Sequence, residues 1–100
     1  MIFQDEEGVQ DYKEAVKWYR LAAEQGDSFG QSCLGMMYEY GDGVPENSVQ
    51  AWAWYNLAAA GGDKDAKKYR RRLKLTPEQL IEAQALSTEI QKRIEANNKD

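Results

Sequence analysis

Histidine is absent from this 100-residue chain, and cysteine occurs once, at Cys33. The first absence removes the usual zinc ligand and the usual base of a nucleophilic triad together. The second rules out an intrachain disulfide and leaves the redox compartment unread. No run of about 18 apolar residues exists, so membrane insertion is not expected. The first residues, MIFQDEEGVQDY, have neither a basic start nor an apolar stretch, so they do not read as a secretory signal. A soluble protein is expected, cytoplasmic if the chain is complete and periplasmic if a leader has been removed. A positive excess is missing as well. The net charge is −4, so no global field draws nucleic acid.

What is present is an internal repeat. Residues 18–27 read WYRLAAEQGD and residues 54–63 read WYNLAAAGGD, identical at seven of ten positions and starting 36 residues apart. Self-similarity at that period marks a stack of helical units, each unable to bury its apolar face alone.

The spacing predicts five helices. Over 11–25, Asp11 and Glu14 have capping-box spacing, and Ala15, Trp18, Tyr19, Ala22 and Ala23 fall on one helical face, ended by Gly26. Asp27 is placed to cap a second helix over 28–40, with Leu34, Met37 and Tyr38 on its stripe and Gly30 and Gly35 allowing close approach. Gly41-Asp42-Gly43-Val44-Pro45 is a turn. Gly8-Val9 reads as a worn copy of that turn. Asn47 and Gln50 then repeat the capping-box spacing, Ala51, Trp54, Tyr55, Ala58 and Ala59 repeat the buried face, and Gly62 and Asp63 repeat the stop and cap. Over 64–74, Ala66 stands where Gly30 stood, but Arg70 and Arg71 replace Leu34 and Gly35. Such divergence is expected of a terminal unit. Thr76-Pro77-Glu78-Gln79 starts a last helix running to about residue 96, with Leu80, Ala83, Ser87, Ile90 and Ile94 along one side and fraying from Asn97 to Asp100.

These residues resemble the Sel-1-like repeat family, a relative of tetratricopeptide arrays. Leu34-Gly35, Tyr38, Gly41-Asp42-Gly43-Val44, Ala51, Trp54-Tyr55, Ala58-Ala59 and Gly62 match its pattern in order, and Trp18-Tyr19, Ala22-Ala23 and Gly26 match the second half of an earlier unit. The match covers about residues 8–69, and the tail from Lys64 resembles the degenerate last unit and capping helix of bacterial members. The resemblance implies an all-α fold: a short right-handed α-solenoid with a C-terminal capping helix. Its divisions would be a partial unit at 1–26, a full unit at 27–62, a degenerate unit at 63–75 and the closing helix and tail at 76–100. It implies scaffold or adaptor work on a protein partner through a concave face, with no enzymatic activity, cofactor or small-molecule substrate. A cysteine-stapled branch of the family has been linked to penicillin binding. Its cysteines would stand at Ala23 and Gln31, so that hydrolase-like alternative is disfavoured here.

Trp18, Tyr19, Leu34, Gly35, Tyr38, Trp54, Tyr55, Ala58 and Gly62 are expected to form the structural core. The resemblance puts the first helix of each pair on the concave side. The candidate partner-binding residues are therefore Gln31, Ser32, Met36, Glu39 and Tyr40, extended by Lys67, Lys68 and Arg71. Residues 64–74 hold seven basic side chains and one acid, while the rest of the chain sums to −10. A solvated, partly paired face is the favoured reading of that segment, ahead of an acidic protein partner and then of nucleic acid. Cys33, with no histidine to activate it, reads as a small buried hydrophobe. Ile2 and Phe3 cannot supply a partner helix for the Trp18–Tyr19 stripe, so a longer array or a homodimer is expected to cover that edge.

Overall fold

A computed structural model describes residues 8–99. It holds five helices and, among the described residues, no strand: α1 (Gly8–Glu24), α2 (Ser28–Tyr40), α3 (Ser48–Ala60), α4 (Lys64–Arg72) and α5 (Pro77–Asn97). The expected roles of Ile2, Phe3 and Asp100 lie outside the described residues.

Helix ends follow local chemistry. The side chains of Asp27, Asn47, Asp63 and Thr76 each accept from backbone N–H groups of the helix they precede, satisfying donors that have no intrahelical partner. At α5 the box is reciprocal: Thr76 Oγ1 accepts from Gln79 N at 3.1 Å, and Gln79 Oε1 accepts from Thr76 N at 3.0 Å. Gly26, Gly41 and Gly62 end helices with φ of 91°, 70° and 106°, a region L side chains rarely adopt. One local expectation is corrected. The helix begins at Gly8, so Gly8-Val9 lies inside it and not in a turn, and Asp11 falls in its first turn, where its charge suits the helix dipole.

Small residues bring the helices together. A Cβ on Gly30 would stand 2.7 Å from the Ala22 Cβ of α1, and one on Gly35 would stand 2.7 Å from Tyr55 Cδ1 of α3. Helix α2 is thus held on two sides. One core cluster joins Val16, Ala23, Leu34, Ala53, Trp54, Leu57, Ile90 and Ile94, drawn from α1, α2, α3 and α5. A second joins Ala51, Tyr55, Ala58 and Ala66, with Tyr69 and Leu73 of α4 packed on it.

The closing helix does not continue the stack on α4. It packs on α3, where Ile90 and Ile94 complete the pocket of Trp54. The repeat offset gives the reason. Gln31, Ser32 and Gly35 are buried on α2, but the equivalent positions on α4 are Lys67, Lys68 and Arg71. Covering three unpaired cations with an apolar helix face would cost several kcal/mol, so α5 turns to the apolar surface of α3 instead. Asn56 ties the corner, donating to Ser87 Oγ of α5 at 2.9 Å and accepting from Arg70 of α4.

Two expected core residues are placed otherwise. Trp18 is 62% exposed, because no helix among the described residues stands on it as α2 and α5 stand on Trp54. Gly62 is exposed, and its role is the left-handed backbone that ends the third helix. Leu34, Gly35, Trp54, Tyr55 and Ala58 are buried, and Tyr19 and Tyr38 pack half-buried against the first cluster.

Candidate protein-binding surface

The eight candidate contact residues separate into three groups. Gln31 and Ser32 are 3% and 4% exposed and cannot meet a partner. With α1 on one side of α2 and α3 on the other, little of α2 is left open. Gln31 instead donates from Nε2 to the Ala23 carbonyl at 3.2 Å, a second bond to an acceptor near the end of α1 that Gly26 N already reaches at 3.0 Å. Met36 is half-buried against the second core cluster.

Glu39 and Tyr40 form the second group, and an arginine absent from the expected set organises them. Arg72 of α4 reaches back to α2, donating from Nε to Glu39 Oε2 at 3.0 Å and from Nη2 to Glu39 Oε1 at 2.8 Å. The same Nη2 donates to the Tyr40 hydroxyl at 2.8 Å. Tyr55 donates its hydroxyl to Glu39 Oε1 at 2.6 Å. The Arg72 guanidinium lies 4.7 Å from the Tyr69 ring centroid and 5.7 Å from that of Tyr40. The planar fork suits a carboxylate and two aromatic faces together, as a lysine would not. The repeat offset carried a signal for this: Arg72 occupies the step of Met36, one helical turn before Glu39 and Tyr40.

The electrostatics follow. Burial pushes the Glu39 carboxyl up, but hydrogen bonds from Arg72 and Tyr55 outweigh it and hold the group below the ordinary carboxylate value. Burial and then the Glu39 carboxylate push the Tyr55 hydroxyl well above its ordinary value. The Glu39 bond raises Arg72 further. The cluster is therefore a fixed anion–cation pair at neutral pH, and it fastens the C-terminal ends of α2 and α4. Tyr40, 57% exposed, stands on it as an anchored aromatic.

Lys67, Lys68 and Arg71 form the third group, exposed on the outer side of α4 with Lys64. Arg70 does not join them, because it bonds Asn56 and lies over the Trp52 ring at 5.6 Å. The basic segment is thus divided between internal bracing by Arg70 and Arg72 and an open face. Tyr69 is covered by Arg72 and packs at 5.5 Å on Tyr55, so it offers no platform for a nucleobase.

Cys33 is half-buried, and burial raises its thiol, so it is held as the unreactive neutral form at neutral pH. Among the described residues no group of carboxylates and thiol could hold a metal ion. No described helix is long and apolar enough to cross a membrane.

The Sel1 repeat family model matches residues 3–27 and 30–63. The chain is 43% identical over 63 residues to the chitin synthase regulator SKT5 of Saccharomyces cerevisiae, covering 62% of this chain and 9% of that protein. It is 47% identical over 49 residues to an exopolysaccharide production negative regulator of Rhizobium meliloti, covering 49% and 18%. It is 41% identical over 63 residues to the DAP3-binding cell death enhancer 1 of Rattus norvegicus, covering 63% and 12%. The chain thus spans less than a fifth of the length of these relatives.

Proposed function

Since the chain belongs to the Sel1 repeat family, we propose that it is a protein-interaction module, a scaffold or adaptor without catalysis of its own. Relatives named as regulators, and one named for binding another protein, support that class of work. The observation that carries the reading is the braced junction of α2 and α4. Arg72 and Glu39 hold Tyr40 out on a rigid base, and Lys67, Lys68 and Arg71 are open on the same helix as Arg72. A surface built before its partner arrives loses little freedom on binding, and aromatic and arginine side chains are the usual anchors of such surfaces. The division into units at 1–26, 27–62 and 63–75 with a closing helix at 76–100 belongs to the same reading.

The test is a photo-crosslinking residue placed at Tyr40, with a second placed at Glu82 on α5 as the contrast. Protein adducts from Tyr40 are expected. Adducts from Glu82 alone would refute the α2–α4 surface.

A second reading, a homodimer across the outer side of α1, is favoured by Trp18 and Leu21, 62% and 55% exposed. A strictly monomeric mass by light scattering would remove it.

A further inference from the structure

We propose that the outer face of α4 docks an acidic helical segment of a protein partner, with Lys64, Lys67, Lys68 and Arg71 meeting its carboxylates and the cleft beside Arg71 taking one of its apolar side chains. The inference names a partner chemistry and rests on the interaction-module reading.

Four observations carry it. The four residues sit at i, i+3, i+4 and i+7, one helical stripe, opposite the side on which Ala66 is buried and Tyr69 and Leu73 pack. No carboxylate lies within ion-pairing distance of any of them among the described residues, whereas Arg72 and Arg93 are each paired. The repeat itself shows what this face accommodates. The equivalents of Lys67, Lys68 and Arg71 on α2 are Gln31, Ser32 and Gly35, all buried, and Gly35 lies against Tyr55 of α3. A helix packs there within the full unit, and α4 keeps the position open because α5 has turned to α3. Finally, a cleft of about 240 Å³ adjoins the stripe, lined by Trp52, Leu73, Leu75 and Leu80 and rimmed by Arg70 and Arg71.

Acidic protein fits this better than nucleic acid. The stripe is only about 10 Å long at 1.5 Å per residue, enough for two helical turns but for few phosphates. Outside residues 64–74 the chain carries −10, which repels an extended polyanion. A phosphate chain would also leave the leucine-lined cleft empty.

The test uses the full chain, a synthetic glutamate-rich amphipathic helical peptide carrying one leucine, and a single-stranded DNA of equal charge. The expected results are saturable peptide binding that weakens with added salt, a loss of about tenfold or more when Lys67, Lys68 and Arg71 are all replaced by glutamate, and weaker binding of the DNA. A Leu80→Ala variant is expected to weaken the peptide while leaving its salt dependence unchanged. Circular dichroism of each variant establishes that the helices persist, and if the triple reversal unfolds, the milder Lys67→Gln/Lys68→Gln pair replaces it. Equal peptide affinity in the charge-altered variant, or tighter binding of the DNA, overturns the proposal. If a partner crosslinked at Tyr40 is still captured by the charge-altered variant, the stripe fails and the interaction module stands. If Tyr40 yields no partner either, both fail.

Discussion

Trp18 and Trp54 occupy the same step of the repeat, 36 residues apart, yet one is 62% exposed and the other 1%. The difference is the company each helix keeps: Trp54 has Leu34 of α2 and Ile90 and Ile94 of α5 in its cluster. Trp54→Ala is therefore expected to cost about 3–5 kcal/mol, enough to unfold a small array. Trp18→Ala should stay within about 0.5 kcal/mol of the parent. Urea unfolding of both variants checks the contrast, and equal losses would refute it.

The same pair shows what the sequence could reveal. Asp27, Asn47, Asp63 and Thr76 cap helices, and Gly26 and Gly62 end them, through bonds and dihedrals set within a few residues. Such features are legible because nothing distant enters them. Whether Trp18, Gln31 or Ser32 is covered depends on which helices lie alongside, and periodicity gives only a face, not its neighbour. The path of α5 was hidden for the same reason. It follows from a comparison of two faces of different helices, the charged one on α4 and the apolar one on α3. Of the proposed binding surface, Tyr40, Lys67, Lys68 and Arg71 were visible as exposed positions, whereas Arg72, which organises Glu39 and Tyr40, was visible only as one cation in a run.

The Glu39–Arg72 pair should make stability fall in acid. The folded carboxyl lies below its unfolded value, so the stabilisation is complete above the unfolded value, about 4.3 for glutamate. It is lost as pH drops through the lower folded value. Arg72 is 42% exposed at its side chain, which weakens the pair by solvent screening. Glu39→Gln is expected to cost about 1–2 kcal/mol at neutral pH. It should also flatten the acid limb of a plot of melting temperature against pH. A limb of unchanged steepness would show that Glu39 is not its source.

Gly35 and Gly62 separate two uses of glycine. A Cβ on Gly35 would meet Tyr55 Cδ1 at 2.7 Å, and Tyr55 is fully buried and bonded to Glu39, so the ring cannot easily yield. Gly35→Ala should cost about 1–3 kcal/mol through overpacking. At Gly62 a Cβ meets nothing within 4 Å, but φ is 106°, so Gly62→Ala should lose about 1–3 kcal/mol through backbone strain alone. A truncation of Tyr55 to leucine discriminates between them. It should reduce the penalty at Gly35 and leave that at Gly62 unchanged, as a double-mutant cycle would read.

Burial keeps the Cys33 thiol neutral, and the thiolate is the reactive form. Its reaction with a chromogenic disulfide is expected to be slow in the native chain at neutral pH and fast in denaturant. Raising the pH should speed the native reaction only beyond the ordinary thiol range. Rapid native labelling at neutral pH would mean that the α1–α2 junction opens readily.

The closing helix offers the sharpest check on how the array ends. Its start is fixed by the Thr76–Gln79 box and its body by Ile90 and Ile94 against Trp54, with Arg93 donating to Glu24 of α1 at 2.6 Å. An exposed cap is typically worth about 1 kcal/mol and a surface ion pair about 1 kcal/mol or less, whereas a buried isoleucine cut to alanine costs about 2–5 kcal/mol. Ile90→Ala should therefore be more damaging than Thr76→Ala and Arg93→Ala together. Because Ile90 shares its cluster with residues of α1, α2 and α3, its loss should lower a single cooperative transition. An early, separate loss of helicity that leaves the Trp54 environment intact would mean that α5 is an appendage, and that the burial of Trp54 is secured by α1, α2 and α3 alone.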